Sequence, residues 1–163
     1  MAVRRSKNGF VLIVTCVALT ILLAFAALGI DIARMYVIQS ELQAFTDAAA
    51  LGAAMQLDGG AEGIGRAHKA AEQLAIGPHA MKWDLGTKAI SEIAESFAAG
   101  SEMPDPKTWT ADPKDASGCR FVRVTASAPA PLVFLRIFQP RDASTVAASS
   151  VAVKTSDAAR LME

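Results

Sequence analysis

The chain has 163 residues, of which 52% are hydrophobic and 6% aromatic, and its 16 basic and 16 acidic residues give a formal net charge of zero. This length is typical of a single domain. The neutral charge argues against a basic nucleic-acid-binding protein, two cysteines cannot build a disulfide-rich scaffold, and the high apolar fraction excludes a wholly disordered chain.

The first 30 residues combine a basic segment with the most apolar stretch of the chain. Arg4, Arg5 and Lys7 precede residues 10–30, FVLIVTCVALTILLAFAALGI, which carry no charge. A helix of these 21 residues, rising about 1.5 Å per residue, spans roughly 30 Å, the thickness of the hydrocarbon core of a bilayer. The sequence predicts a cytoplasmic basic N-terminus and a transmembrane helix over 1–30, with the rest of the chain outside the cytoplasm.

Two processing alternatives stay open for this segment. Ala24-Phe25-Ala26 resembles the site at which a secretory signal peptide is cleaved, and cleavage there would make the chain a secreted soluble binding protein. Gly9-Phe10 after the basic cluster resembles a prepilin cleavage junction, although Val14 stands where a prepilin carries glutamate. A lipoprotein is rejected because Thr15, immediately before Cys16, is not the small residue that lipidation requires.

The helical pattern continues beyond the apolar segment. Apolar residues step by three or four positions, at Ile32, Met35, Ile38, Leu42, Phe45 and Ala49. Polar residues fill the other faces: Arg34, Gln39, Glu41, Gln43 and Asp47. The sequence predicts one unbroken helix from about residue 9 to about 57, in which 31–57 form an amphipathic stalk that ends at Asp58-Gly59-Gly60.

Residues 58–163 are predicted to form a small α+β domain. A second helix is expected over about 61–76, ended by Gly77-Pro78. Residues 81–85 favour a short strand, and the segment from Ile90 to Phe97 is compatible with a helix or with paired strands. A proline-rich loop is expected over 100–118.

The last third of the chain predicts a strand–helix–strand unit. Residues 121–126 and 145–155 have the composition of strands. Residues 131–138, PLVFLRIF, are interpreted as a short helix with proline near its start. The 61–76 helix is expected to pack against this unit, and residues 156–163 are expected to fray.

No pattern of catalytic or metal-binding residues is present in the sequence. His68 and His79 have no acidic or cysteine cluster beside them and are interpreted as exposed polar residues. Cys16 is expected to be a packing residue in the membrane, and Cys119 a free thiol or, alternatively, an intermolecular bridge. We therefore expect a protein that is not an enzyme and that needs no cofactor or metal.

Small residues recur every four positions along the long helix. Gly29 is followed by Ala33, and Ala44 by Ala48 and Gly52. This spacing lets helix backbones approach closely and suggests helix–helix association, including association with a second copy of the chain. Asp31 and Arg34 are three residues apart and can pair along one helix face; Asp31 either contacts a partner helix or marks the end of the apolar segment.

Residues 29–34, GIDIAR, and 42–51, LQAFTDAAAL, resemble the N-terminal region of TadG-like Flp pilus-assembly proteins. That region is a membrane helix ending in D-x-x-R, followed by L-Q-x-A-x-D-A-A-A-L-A. Phe45 and Gly52 replace the more usual small residue and alanine. Residues 122–125, 131–134 and 145–148 resemble the periplasmic part of such proteins more loosely.

The resemblance implies a single-pass inner-membrane protein with a periplasmic domain that supports assembly of a type IV-like pilus and adhesion. Its implied partners are other pilus-assembly membrane proteins or pseudopilins, together with membrane lipid and no nucleic acid. The candidate helix-packing and partner-binding residues are Gly29, Asp31, Ala33, Arg34, Leu42, Gln43, Ala44, Asp47, Ala48 and Gly52.

Overall fold

The computed structural model describes residues 7–137 and 144–155. Two helices precede a small hairpin and a three-stranded sheet, so the predicted α+β class is confirmed. The elements are α1 (Lys7–Gln56), α2 (Ala61–Ala75), β1 (Lys82–Trp83), β2 (Lys88–Ala89), β3 (Glu92–Ala99), β4 (Cys119–Ala130), a 3-10 turn (Leu135–Ile137) and β5 (Ser144–Val153).

Helix α1 is a single helix of 50 residues, as the sequence predicted. Its interior contains no proline, and Gly29 costs only about 1 kcal/mol relative to alanine, too little to interrupt so long a helix. The helix ends just before Gly59, whose φ of 83° is a conformation that glycine adopts readily.

The two halves of α1 have different surroundings. Most of residues 10–30 extend beyond the domain, with large apolar side chains exposed; Leu22 and Phe25, for example, are 65% and 68% exposed. Within the described ranges this is the one helix long and apolar enough to cross a membrane. The second half is part of the core, where Ile38, Leu42 and Phe45 are fully buried.

The sheet is antiparallel with the order β3-β4-β5. Val124 in the central strand pairs with Glu95 on one side and Ser150 on the other. Alternate residues of β4 are buried because successive side chains of a strand point to opposite faces. Strand β4 extends beyond the pairing of Glu92 with Ser127, and Pro129 lies in this extension, where β5 is the paired neighbour.

Helix α1 packs across β4 and β5, and α2 packs against α1. The core between them contains many alanines, such as Ala49, Ala67 and Ala126, which are fully or almost fully buried. Side chains this small let the helices and the sheet approach closely. The stalk is thus the central helix of the α+β fold.

Several expectations for the second half of the chain need correction. Residues 92–99 form strand β3, so the helical alternative for Ile90 to Phe97 is wrong. Helix α2 packs chiefly on α1, since the sheet already covers another side of that helix, and it has few contacts with the strands. The predicted 131–138 helix is reduced to the 3-10 turn, and Phe138 and residues 156–163 lie outside the described residues.

Candidate functional site: the two faces of the long helix

Asp31 lies at the first charged position after the apolar half of α1, and it is 1% exposed. Its carboxylate accepts the backbone N–H groups of Val133, Phe134 and Leu135 at 3.0, 2.9 and 2.6 Å. These donors follow one another along the chain, so the carboxylate fixes the loop at the start of the 3-10 turn. The first N–H groups of a helical turn have no partner within it, so the carboxylate caps the 3-10 turn as a side-chain cap does.

Arg34 holds the β1–β2 hairpin against α1. Its Nη2 and Nε atoms donate to Oδ1 of Asp84 at 2.7 and 2.9 Å, and Asp84 is 4% exposed. Lys88 lies 3.6 Å from the second carboxylate oxygen. The backbone N–H of Leu85 donates to Glu41 at 3.2 Å. The hairpin tip is therefore docked on the helix by two contacts, roughly two turns apart.

A third polar contact joins α1 to strand β5. Gln43 Nε2 donates to Asp47 Oδ1 at 3.0 Å and to Ser150 Oγ at 2.9 Å. Ser150 Oγ also donates to Asp47 and lies 2.8 Å from Thr46 Oγ1, which is fully buried. This network fixes the register of the helix on the sheet.

The four polar candidate residues of α1, together with Leu42, therefore make contacts within the chain. The predicted Asp31–Arg34 pair is replaced by contacts of each residue with a different loop, because both loops fold back onto this turn of α1. Gln43 and Asp47 are not merely surface residues, since both bind Ser150. Leu42 is fully buried in the core.

The small candidate residues are less buried than Asp31 and Leu42, and Ala44 lies beside Gln43 and Asp47 along a shallow groove. Gly29, Ala33 and Ala44 are exposed, and Ala48 and Gly52 are half-buried. A Cβ atom added at Gly29 or Gly52 would meet no atom within 4 Å. Together with the exposed Leu51 and Met55, these five small residues form what we call the outer face of α1. The sheet and α2 leave this face open.

A shallow apolar groove lies where the apolar half of α1 meets the 131–135 loop. Phe134 and Leu135 form one wall. The helix side is lined by Thr20, Ile21, Leu23, Ala24, Phe25, Ala27 and Leu28. Phe134 therefore lies beside residues of the charge-free segment.

His68 and Cys119 are less exposed than polar surface residues would be. His68 Nδ1 lies 3.2 Å from Glu95, and its ring packs edge-on against Phe97. Cys119 is a free thiol, 4% exposed. Burial, reinforced by the carboxylate of Asp115, raises the pKa of the Cys119 thiol. Over residues 7–137 and 144–155, no three His, Cys, Asp or Glu side chains are grouped to hold a metal ion.

The comparison with protein families finds a similarity over the N-terminal helix. The model of the family described as "Putative Flp pilus-assembly TadE/G-like" matches residues 9–56. The matched segment is helix α1 almost in full, including the outer face and the residues that bind the domain. No curated protein and no solved structure matches the chain. The match supports a pilus-related role and fits a membrane location.

The partners of these α1 residues could not be recognised in the sequence. Asp31 binds the 133–135 amides and Arg34 binds Asp84, and both partners lie far along the chain. Thr46 and Ser150, which lie beside Gln43 and Asp47, carry no motif. One signal was available: an aspartate and an arginine beside an apolar segment need partners if they are buried. The sequence alone does not say which loop supplies them.

Proposed function

We propose that this chain is a membrane-anchored, non-enzymatic component of a Tad/Flp pilus-assembly system that supports pilus biogenesis and adhesion. The observation that carries the proposal is the coincidence of the family match with one continuous helix. That helix combines a largely exposed apolar half with a set of small residues that the domain leaves at least partly exposed.

The proposed location is the bacterial inner membrane, crossed once by α1. Arg4, Arg5 and Lys7 lie before the apolar segment and favour the cytoplasmic side for the N-terminus. The domain from Asp31 onward would then be periplasmic. Alkaline phosphatase fused after Glu163 is expected to be active, and a reporter that works only in the cytoplasm is expected to be inactive there. The reverse result would overturn this orientation.

The proposed partner surface is the outer face of α1. Small side chains allow the backbone of a second helix to come close, which is how many helices associate in membranes. The polar candidate residues of α1 are already bound within the chain, so the outer face is the part of the candidate set that remains for a pilus-assembly protein, a pseudopilin or a second copy.

The test is substitution of the outer face in the full chain. Ala44→Leu and Gly52→Leu add bulk at positions whose surroundings are open, so the fold is expected to persist. Overpacking a close helix contact typically costs about 1–3 kcal/mol, so recovery of pilus-assembly partners in a pull-down is expected to fall at least several-fold.

Ala61→Leu is the matched control, because Ala61 is also an exposed helical alanine but lies on α2. Thermal melts in detergent check that all variants fold. Normal folding with full partner recovery for both outer-face variants would show that this face binds no partner.

A second candidate is a minor pilin-like subunit processed after Gly9. The exposed apolar half of α1 is the observation that favours it, because a helix that is apolar on all sides can be buried among other helices in a fibre as well as in lipid. The two candidates differ in the N-terminus. Mass spectrometry of the membrane-extracted protein that finds Met1 or Ala2 as the first residue excludes processing, whereas Phe10 as the first residue establishes it.

A further inference from the structure

We propose that the loop containing Val133 and Phe134 inserts into the outer part of the bilayer that α1 crosses, so that the chain has a second membrane contact. This proposal rests on the membrane span of the proposed function, and it is independent of the pilus role. The occupant of the groove beside the loop is then lipid acyl chain.

The position of the loop along α1 is the first argument. Phe134 and Leu135 share a groove with helix residues inside the span, among them Ala24 and Ala27. These two residues precede Ile30, the last residue of the charge-free segment, by six and three positions, which corresponds to roughly 9 and 5 Å along the helix. A bilayer that surrounds this part of α1 must also surround the side chains that lie against it.

The composition of the loop is the second argument. Residues 131–135 read PLVFL, without a polar side chain. Val133 is 54% and Phe134 36% exposed. Arg136 follows directly and is exposed. In a bilayer the apolar tip of the loop would contact acyl chains, while Arg136 beside it would pair with the anionic phosphates above them.

The backbone of the loop supplies the third argument. Peptide groups that enter lipid must have their hydrogen bonds satisfied within the protein, because the hydrocarbon offers no partner. Pro131 has no N–H group, and the N–H groups of Val133, Phe134 and Leu135 all donate to Asp31. The carboxylate thereby removes three exposed donors from the part of the loop that lies deepest.

The test uses spin labels on the full chain reconstituted in phosphatidylglycerol–phosphatidylethanolamine vesicles. Both native cysteines are replaced (Cys16→Ser, Cys119→Ala), and single labels are placed through Val133→Cys, Leu23→Cys and Leu85→Cys. Oxygen concentrates among acyl chains and a nickel chelate stays in water. The ratio of the two accessibilities therefore reports whether a label lies in lipid.

Position 85 is the matched control for position 133. Both are exposed apolar residues in loops, but Leu85 binds Glu41, about 15 Å along α1 from Asp31 on the domain side. Position 23 is the reference for lipid. The oxygen-to-nickel ratio at 133 is expected to be close to that at 23 and several-fold above that at 85. A label at Phe134 repeats the measurement if the Val133 variant does not fold.

Three results would overturn the proposal, and they are distinguishable. A ratio at 133 equal to that at 85, with 23 in lipid, places the loop in water and leaves the span intact. Low accessibility to both reagents at 133 means that protein covers the loop, as a second copy would. Nickel accessibility at 23 means that α1 does not cross the bilayer, so the proposed function fails together with the insertion.

Discussion

The carboxylate of Asp31 accepts the backbone N–H of Phe134 at 2.9 Å, across 103 residues of sequence. The contact joins the end of the apolar segment to the loop between β4 and β5. It ties the 133–135 loop to the helix at the point where the proposed membrane span ends.

Asp31→Ala is expected to release the 133–135 loop without unfolding the core, because the buried core residues around Phe45 lie further along α1. Hydrogen bonds to a charged group contribute more than neutral ones, so hydrogen exchange of the Val133, Phe134 and Leu135 amides should accelerate by about tenfold or more. The measurement is hydrogen exchange with mass spectrometry on the full chain in detergent.

Ala33→Ser is the control for this prediction, since Ala33 is exposed on the same turn of α1. It should leave exchange of the loop unchanged. Unaltered exchange in Asp31→Ala would mean that the loop is held by its apolar side chains alone.

A second prediction concerns two glycines of α2 that differ in their surroundings. A Cβ atom at Gly63 would clash with the side chain of Asp58 and lie 2.9 Å from its backbone nitrogen, whereas a Cβ at Gly65 would meet nothing within 4 Å. Gly65→Ala should therefore raise the free energy of unfolding by about 0.5–1 kcal/mol, the usual gain in helix propensity. Gly63→Ala should lower it by about 1–3 kcal/mol through overpacking.

Denaturant titration of the two variants in the same detergent gives the comparison directly. Each variant serves as the control for the other, because the substitution, the helix and the propensity gain are the same. Equal stabilisation by both would show that residues 58–60 move aside without cost, and that the close approach of Asp58 to α2 is not a constraint.

The long helix and the last strand could be predicted from sequence because both depend on local patterns. The apolar run and the three-to-four-residue spacing specify α1 without reference to the rest of the chain. Residues 92–99 were ambiguous because Ile93 and Phe97 have helical spacing, and pairing with the long strand β4 decides the outcome. The helical pattern of residues 131–138 overestimates the length of the 3-10 turn, and its contact with Asp31, a hundred residues earlier, could not be predicted from that pattern.

The candidate site was predicted only as a set of residues on one helix. The sequence could not divide that set into the polar residues that bind the domain and the small residues that remain outside. That division depends on which side of α1 the sheet covers, and the contacts of Arg34 with Asp84 and of Asp47 with Ser150 decide it.

Acid stability provides a third prediction, centred on Asp58. The side-chain hydrogen bond from Arg66, together with the backbone N–H of Gly60, lowers the pKa of Asp58. A carboxyl whose pKa is lower in the folded than in the unfolded chain stabilises the fold above its unfolded pKa of about 4. This contribution is lost as the pH falls through the folded value.

Asp58→Asn should therefore lower the melting temperature at pH 7, and the difference from wild type should shrink as the pH falls through the folded pKa of Asp58. The effect should be small, because Asp58 and Arg66 are both 46% exposed and solvent screens the pair. Asp115, whose pKa is also lowered by Ser117, titrates in both proteins and cancels in the comparison. A difference that stays the same from pH 7 to pH 2 would assign the effect to packing and not to charge.

The last prediction is that Cys119 resists alkylation in the folded chain. The thiolate is the reactive form of cysteine, and burial together with the Asp115 carboxylate raises the pKa of the Cys119 thiol. Its side chain is also only 4% exposed, so the thiol is both protonated and shielded.

With Cys16 replaced by serine, iodoacetamide at pH 8 should modify Cys119 at least about a hundredfold more slowly in the folded than in the denatured chain. An exposed cysteine introduced by Ala111→Cys, in a chain that also carries Cys119→Ala, gives the reference rate for an accessible thiol. Modification of Cys119 at the rate of residue 111 would mean that this end of β4 opens readily, and an intermolecular disulfide at Cys119 would then become accessible.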